Sequence, residues 1–485
     1  MLFNSIEFLV FLPIVFLLYW FVFDRFISGS RHQLQLQNAF VVVASYVFYG
    51  WWDWRFLLLI AFTSFCSWGS GLLISRAKTS KVSKAWMWLN ILLNLGILAL
   101  FKYYDFFVTE FAQLFHVPTD GLLLRVILPV GISFYTFQAL SYSINVYRGK
   151  KEPTNDVIAF FAFISFFPQL VAGPIERATN LLPQFLKKRT FDYDTAADGM
   201  RQIMWGLFKK IVVADSCALY VNQVFSTYSE QSGSTLLLAA ILFSFQIYGD
   251  FSGYSDIAIG TAKLFGIKLM RNFNVPYFSR DIAEFWRRWH IALTTWFRDY
   301  VYIPMGGSRV SKAKIIRNTF AIFLLSGFWH GANWTFIAWG AYHAVLFLPL
   351  ILTKRNRKYT NQVAEGRFLP TIKEVGQILL TFVLVVFGWI IFRAESIGQS
   401  WNYVCGIFNK SLLTVPWLKN RETYLVILVS VVVMLLVEWL NRNRQHGLEM
   451  SAKCPMVLRY AAYVILALVI IRFSGTPSAF IYFAF

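Results

Sequence analysis

Residues 319–352 read TFAIFLLSGFWHGANWTFIAWGAYHAVLFLPLIL, an apolar run without Asp, Glu, Lys or Arg. The part from 332 to 352 is long enough to cross a bilayer as an α-helix, and 319–330 is a shorter apolar segment. His330 lies between the two. Because an ionisable side chain at membrane depth costs free energy unless it faces a polar cavity, His330 is the first candidate for a functional residue.

The composition of the whole chain indicates an integral membrane protein. Of its 485 residues, 57% are hydrophobic and only 14% are charged, which is outside the usual range of soluble domains. Apolar segments of about 20 residues recur, without the alternation of polar and apolar residues that is typical of a transmembrane β-barrel. The sequence therefore predicts an all-α polytopic membrane protein with roughly 10–13 transmembrane or re-entrant helices.

Two of the predicted membrane segments are interrupted. The segment 121–147 contains Pro129 and Gly131, and 157–172 runs into Pro168, Gly173 and Pro174. Broken helices at membrane depth are tolerated where protein or a water-filled cavity covers the freed backbone groups, so we expect a central polar cavity or funnel. No internal repeat divides the chain, and residues 1–485 are predicted to form a single transmembrane domain. The predicted segments lie near 8–23, 39–51, 56–75, 86–108, 121–147, 157–172, 199–222, 235–265, 319–330, 332–352, 373–393, 423–440 and 457–473.

The formal net charge of +20 does not indicate a nucleic-acid-binding protein. The basic residues form short clusters between apolar segments, which by the positive-inside rule are predicted to be cytoplasmic, while the acidic segment 102–120 is predicted to lie outside. Four single cysteines predict neither a disulfide framework nor a metal site. The basic clusters are Arg76, Lys78, Lys81 and Lys84; Lys187, Lys188 and Arg189; Lys354, Arg355, Arg357 and Lys358; and Arg442 and Arg444.

Histidines supply the candidate chemistry. A neutral imidazole at His330 is a competent general base near neutral pH, able to take a proton from a hydroxyl nucleophile. The alternative for His330 is a helix histidine bonded to a neighbouring carbonyl or to Ser326. His290, which ends the sequence Phe285-Trp-Arg-Arg-Trp-His, is a second catalytic group, an orienting residue or a structural one. His343 lies on an apolar helix and is predicted to be a packed polar residue.

Several motifs together resemble the membrane-bound O-acyltransferase (MBOAT) family, in its bacterial alginate O-acetyltransferase branch. They are FWRRWHIALTTWFRDYVYIPMGG from residue 285, GFWHGANW from 327, LPVGISFYTFQ from 128, FPQLVAGPIER from 167 and GLFKKIVVAD from 206. The resemblance therefore covers essentially the whole chain. It implies a ring of helices around a central funnel, with His330 as the catalytic base and His290 near the reaction centre.

The resemblance also implies a reaction. A multi-pass O-acyltransferase in the bacterial inner membrane would move an acetyl group from cytoplasmic acetyl-CoA towards an envelope polymer or exopolysaccharide such as alginate. A separate periplasmic acyltransferase would be the partner that modifies the polysaccharide. Cationic side chains suited to the phosphates of coenzyme A are present, and neither a metal nor nucleic acid is expected. Those that we assign to the donor are Lys209, Lys210, Arg287, Arg288, Arg298 and Arg317.

The segment 474–485 ends in FIYFAF, which begins at Phe480. Because the loop with Arg442 and Arg444 is predicted to be inside, the following span should deliver this tail to the outer side. The resemblance extends to envelope acylation systems in which a tyrosine in a C-terminal aromatic motif carries the acyl group, and the matching residue is Tyr482. A phenol, with a pKa of about 10, leaves an ester more readily than a sugar hydroxyl does. The alternative for Tyr482 is an aromatic anchor at the membrane surface.

Other functions stay open at this level. Peptidoglycan, cellulose or another polymer could replace alginate as the acceptor, and D-alanyl could replace acetyl. A polytopic transporter would also have broken helices, but no pair of corresponding interrupted segments marks two halves of the chain. A non-catalytic scaffold for an envelope polymer machine is a further alternative.

Overall fold

The computed structural model describes residues 1–27, 29–30, 32–119, 121–171, 173–417, 421–449, 455–475 and 480–481. Within these ranges the chain is helical and contains no β-strand. Together with the apolar helices described below, this confirms the predicted all-α polytopic class.

The helices up to residue 207 are short or medium in length and are interrupted at several points. A π-helical segment, Leu18–Phe23, follows the first of them, and another, Ala99–Tyr103, follows the fifth. The helices are α1 (Ile6–Leu17), α2 (Asp24–Ile27), α3 (Gln33–Gly50), α4 (Arg55–Arg76), α5 (Ser80–Leu98), α6 (Tyr104–Phe115), α7 (Ile132–Tyr147), α8 (Val157–Ser165), α9 (Phe167–Leu170), α10 (Leu182–Phe185) and α11 (Tyr193–Leu207).

The part of the chain after residue 207 includes the longest of the described α-helices, Gly233–Leu264. π-Helical segments at Phe208–Ala214 and Arg298–Tyr302 and short 3₁₀ turns at Tyr228–Glu230, Pro276–Phe278 and Lys410–Leu413 connect its helices. The helices are α12 (Asp215–Ser226), α13 (Gly233–Leu264), α14 (Ile282–Arg288), α15 (Ile291–Phe297), α16 (Lys312–His330), α17 (Trp334–Leu352), α18 (Ile372–Arg393), α19 (Ile397–Ile407), α20 (Arg421–Leu440) and α21 (Met456–Phe473).

In the described part of the chain, seven helical stretches are long and apolar enough to cross a membrane, so the protein is a multi-pass membrane protein. Among the other segments predicted from the sequence, 121–147 is helical only from Ile132 onward, and 157–172 is divided between α8 and α9. The seven stretches are Ile6–Ile27, Arg55–Arg76, Ser80–Phe115, Gly233–Leu264, Trp334–Leu352, Ile372–Arg393 and Met456–Phe473.

The chain forms two compact units. The first consists of Met1–Met200 and Ile257–Met270, and the second of Arg201–Asp256 and Arg271–Phe485. That residues 1–485 behave as one domain therefore stays a prediction. Both candidate histidines lie in the second unit.

In the first unit, polar side chains bond between helices that are otherwise apolar. The Ser67 hydroxyl donates to the amide oxygen of Asn90 over 3.1 Å, and Asn90 donates to Ser143, so that α4, α5 and α7 are joined. Gly131, with a φ of 77°, starts α7, and a Cβ there would lie 2.3 Å from the carbonyl oxygen of Leu170. The predicted break at Gly131 is therefore a sharp turn that packs tightly against α9.

In the second unit, glycines bring α16 and α17 into close contact. A Cβ at Gly327 would lie 2.1 Å from the carbonyl oxygen of Phe336, and a Cβ at Gly340 would lie 2.4 Å from that of Phe323. Close helix packing through small residues is typical of membrane proteins, where the lipid supplies no hydrophobic driving force between helices. The two helices thereby fix the direction in which α16 delivers its last residue, His330.

Candidate active site

His330 is the C-terminal residue of α16, and its side chain is buried among aromatic rings. The centroid of its imidazole lies 5.0 Å from that of Trp329, 5.2 Å from that of Trp339 and 5.4 Å from that of Phe392. A positive charge at the C-terminal end of a helix is favoured by the helix dipole. His330 thus lies at a buried helix end, enclosed by aromatic side chains.

His290 is held in a strained conformation by a neighbouring amide. Its φ is 43°, in the left-handed region, where a residue with a side chain is unusual. Its Nδ1 lies 3.0 Å from Oδ1 of Asn272, and that oxygen also accepts the N–H of Ala292 over 3.3 Å. The Asn272 amide group in turn donates to the hydroxyl of Ser255 over 3.0 Å. This network fixes the ring of His290 in one orientation.

The network also assigns the tautomer of His290. Because Oδ1 of Asn272 can only accept, Nδ1 of His290 carries the hydrogen and Nε2 carries the lone pair. Nε2 has no hydrogen-bond partner among the residues that the structure describes. Burial lowers the pKa of His290 to about 3, so the ring is neutral at physiological pH. The Nε2 lone pair can accept a hydrogen bond, but a group with a pKa of about 3 is a weak base near neutral pH.

The structure brings the two predicted histidines to the same aromatic side chain. The imidazole of His290 lies 5.9 Å from the indole of Trp329, and that of His330 lies 5.0 Å from it, both measured between ring centroids. In the sequence, α15 and most of α16 lie between the two histidines, so their common contact with Trp329 could not be predicted without the fold.

Buried polar groups continue beyond the two histidines. The indole N–H groups of Trp286 and Trp339 have no hydrogen-bond partner within the described ranges, and both ring nitrogens of His343 are in the same state. His343 lies 4.9 Å from Trp286 and 5.1 Å from Trp339, between ring centroids, as a packed polar residue.

Phe480 lies close to His290 and its aromatic neighbours. Tyr482 itself lies outside the described residues, and of the predicted outer tail only 474–475 and 480–481 are described. Phe480 is fully buried, with its ring 4.3 Å from that of Tyr254 and 6.0 Å from that of Phe251. The Phe251 ring also lies 4.7 Å from the imidazole of His290. The residues directly before Tyr482 therefore pack one aromatic ring away from a candidate catalytic histidine.

Lys209 and Lys210, both predicted to bind donor phosphates, are buried in ion pairs. Nζ of Lys209 lies 2.6 Å from a carboxylate oxygen of Asp256, and Nζ of Lys210 lies 2.7 Å from carboxylates of both Asp215 and Asp250. The sequence reasoning assigned no role to these carboxylates. The feature of the sequence that could have indicated them is the presence of Asp250 and Asp256 in the otherwise apolar helix α13.

The four arginines assigned to the donor have different surroundings. Arg288 is buried and pairs with Glu284 over 2.7 Å, and Arg287 donates to backbone carbonyls of the 356–359 loop. Arg298 and Arg317 are exposed, and each donates to the next residue in the chain. That these arginines and the two lysines contact coenzyme A stays a prediction. No group of three or more metal-ligating side chains occurs in the described part of the chain.

The chain is similar to known proteins over most of its length. Residues 154–387 match the model of the membrane-bound O-acyltransferase family. The chain is 38% identical to the probable alginate O-acetylase of Pseudomonas aeruginosa, over 94% of this chain and 84% of that protein. It is 31% identical to the peptidoglycan O-acetyltransferase of Helicobacter pylori over 100% of this chain and 98% of that protein.

A more distant relative carries a different acyl group. The teichoic acid D-alanyltransferase of Bacillus subtilis is 31% identical over 55% of this chain and 69% of that protein. The alginate and peptidoglycan relatives match across nearly their whole length. We conclude that the chain is a multi-pass O-acyltransferase that belongs to the membrane-bound O-acyltransferase family, in its alginate O-acetylase-like branch.

Proposed function

We propose that this protein transfers an acetyl group from cytoplasmic acetyl-CoA through the bacterial inner membrane to an envelope polysaccharide. The names of the relatives from Pseudomonas aeruginosa and Helicobacter pylori support acetyl as the group and a polymer such as alginate or peptidoglycan as the acceptor. In this proposal a periplasmic acyltransferase receives the group from this chain and places it on the polymer.

The proposed first step is acyl transfer to Tyr482. His330 takes the phenolic proton of Tyr482 while the phenolic oxygen attacks the thioester carbonyl of acetyl-CoA. A C–O bond forms, the C–S bond breaks, and the proton passes from His330 to the departing thiolate to give free coenzyme A. A hydroxyl of the partner then attacks the aryl ester: a new C–O bond forms, the bond to the phenolic oxygen of Tyr482 breaks, and the proton of the hydroxyl passes to the phenolate.

One observation carries this proposal: His290 and His330 share contact with Trp329, and the described residue Phe480 packs against Phe251, which contacts His290. His290 keeps its Nε2 lone pair inside this cluster through the hydrogen bond to Asn272. We assign it to orienting a reacting group through a hydrogen bond to Nε2, because its low pKa makes it a poor base. The cationic side chains, chiefly the exposed Arg298 and Arg317, are proposed to meet the donor phosphates.

The test is incorporation of label from radioactive acetyl-CoA into the purified protein in detergent. We expect stable label in the wild type and loss of it in His330→Ala and in Tyr482→Phe. His32→Ala and Tyr460→Phe, which change an exposed histidine and an exposed tyrosine, should keep the label. Label that survives in Tyr482→Phe would move the carrier to another residue, and label that survives in His330→Ala would remove the proposed base.

A second candidate donor is a D-alanyl thioester, favoured by the relative in Bacillus subtilis. Parallel labelling with D-alanyl thioester on its carrier separates the two. Incorporation from that donor and none from acetyl-CoA would replace acetyl in the proposal while leaving the roles of His330 and Tyr482 intact.

A further inference from the structure

Asp250 occupies an unusual place for a carboxylate. It lies in the middle of α13, a long apolar helix that is largely buried, and its own side chain is only 3% exposed. One carboxylate oxygen lies 2.7 Å from Nζ of Lys210, and the other accepts the backbone N–H of Ile481 over 2.7 Å. This carboxylate therefore joins the helix core to the segment that immediately precedes Tyr482.

Glycines on both sides of Asp250 let its ion-pair partner approach. A Cβ at Gly249 would lie 2.8 Å from the carbonyl oxygen of Lys209, and a Cβ at Gly253 would lie 2.7 Å from that of Gly206. The sequence Gly-Asp-Phe-Ser-Gly thus allows the backbone around Lys210 to pack directly on α13. Lys210 reaches the carboxylate because of this close packing.

The ammonium group of Lys210 alone does not compensate the charges of the two carboxylates that it faces. A single ammonium group faces two carboxylates, those of Asp215 and Asp250, each over 2.7 Å. A buried carboxylate is stable only when hydrogen bonds and charges compensate for its lost hydration. The N–H of Ile481 provides such a bond to the oxygen of Asp250 that does not face Lys210. The hydrogen bond that holds Ile481 in place therefore also compensates part of the buried charge of Asp250.

Aromatic packing holds the same segment on the neighbouring residue. The Phe480 ring lies 4.3 Å from that of Tyr254, one helical turn after Asp250, and 6.0 Å from that of Phe251. Phe251 is the residue that contacts the imidazole of His290 over 4.7 Å. The backbone bond and the ring contacts together fix the positions of Phe480 and Ile481.

We infer that Asp250, oriented by Lys210, is a positioning residue that binds the backbone N–H of Ile481 and so holds Phe480 and Ile481, the residues before the proposed acyl carrier Tyr482, beside Phe251 and His290. The inference rests on the proposed function only for the role of Tyr482. It gives Lys210 a task other than contact with donor phosphates, because its ammonium group is already occupied by two carboxylates.

The direct test is hydrogen–deuterium exchange at the amide of Ile481, resolved by mass spectrometry of the wild type in detergent. We expect this amide to be protected, and to exchange about tenfold to hundredfold faster in Asp250→Ala, as for loss of a buried hydrogen bond. Asp250→Asn, which keeps an oxygen acceptor and the side-chain size, should give an intermediate rate. Asp256→Asn removes a partly buried carboxylate charge from the same helix without touching the tail and should leave the rate unchanged.

A wild-type amide of Ile481 that exchanges as fast as an unstructured one, or equal rates in the wild type and Asp250→Ala, would overturn the inference. Unaltered exchange in α16 and α17 serves as the check that each variant is folded. Because this measurement needs no acyl donor, it can succeed even if Tyr482 is never acylated, and the two proposals fail separately.

A second variant acts from the other side of the same bond. Ile481→Pro removes the N–H donor and leaves Asp250 untouched, whereas Ile481→Val keeps the donor. We expect label on Tyr482 to fall at least tenfold in Ile481→Pro and in Asp250→Ala, and to persist in Ile481→Val. The loss should come from a lower turnover rate and not from a change in the KM for the donor. Equal labelling in all of them would mean that the bond does not position Tyr482.

Discussion

The ionisation of His290 has a measurable effect on stability. Burial lowers its pKa from the ordinary 6.5 to about 3. Between these values the unfolded chain binds a proton that the folded chain does not, so the free energy of unfolding falls as the pH falls below 6.5. We expect His290→Gln to flatten this dependence by about 1.4 kcal/mol per pH unit.

Thermal unfolding in detergent, followed at about pH 7, 6 and 5, measures this slope. His32→Gln changes an exposed histidine and should keep the slope of the wild type. If His290→Gln lost stability with acid as steeply as the wild type does, the ring of His290 would not be buried in its neutral form.

Asn272 is the residue that sets the tautomer of His290. Without its side-chain oxygen, the imidazole loses its orientation and Nδ1 loses its acceptor. We expect Asn272→Ala to lower kcat for acyl transfer by about tenfold or more, with a smaller change in KM. Asn90→Ala removes a buried amide in the first unit and controls for a general loss of hydrogen bonding. Equal kcat values in the two variants would assign Asn272 a structural role only.

At the scale of helices, the contact between α16 and α17 determines where His330 lies. A methyl group at Gly327 would meet the carbonyl oxygen of Phe336 at 2.1 Å, so the helices would have to separate. We expect Gly327→Ala to destabilise the protein by about 1–3 kcal/mol, the usual cost of overpacking, and to reduce acyl transfer. Gly376→Ala, on α18 with open space around its Cα, should leave stability unchanged or slightly higher. A lowered Tm in both variants, or in neither, would contradict this account.

At the scale of the whole molecule, the positions of the basic clusters predict the topology. Arg357 lies in a loop predicted to be cytoplasmic, and His116 follows α6 in the segment predicted to be outside. Both side chains are exposed. In a variant without native cysteines, His116→Cys should react with a membrane-impermeant maleimide in intact spheroplasts, and Arg357→Cys only after permeabilisation. The reverse pattern would invert the topology.

Much of the molecule could be predicted because its signals are local. The length and composition of apolar runs predict helices such as Ile372–Arg393, and the motif around His330 predicts the family. Contacts between distant segments carry no such signal. The hydrogen bond from His290 to Asn272 depends on how the chain turns between two helices, and the ion pairs of Lys210 depend on packing against α13. For the same reason, the ion pairs of Lys209 and Lys210 with carboxylates could not be predicted, and contact of these lysines with donor phosphates stays a prediction.

The hydrogen bond between Ile481 and Asp250 joins residues 231 positions apart, and this separation sets an order of events during biosynthesis. Ribosomes extend a chain at about 5–20 residues per second and earlier segments fold first, so the helix that carries Asp250 enters the membrane well before Ile481 has been made. Until then the carboxylate lacks its final donor. The nascent protein therefore passes through a form in which Asp250 can pair with Lys210 but not yet with Ile481, and the synthesis of Ile481 completes the hydrogen bond.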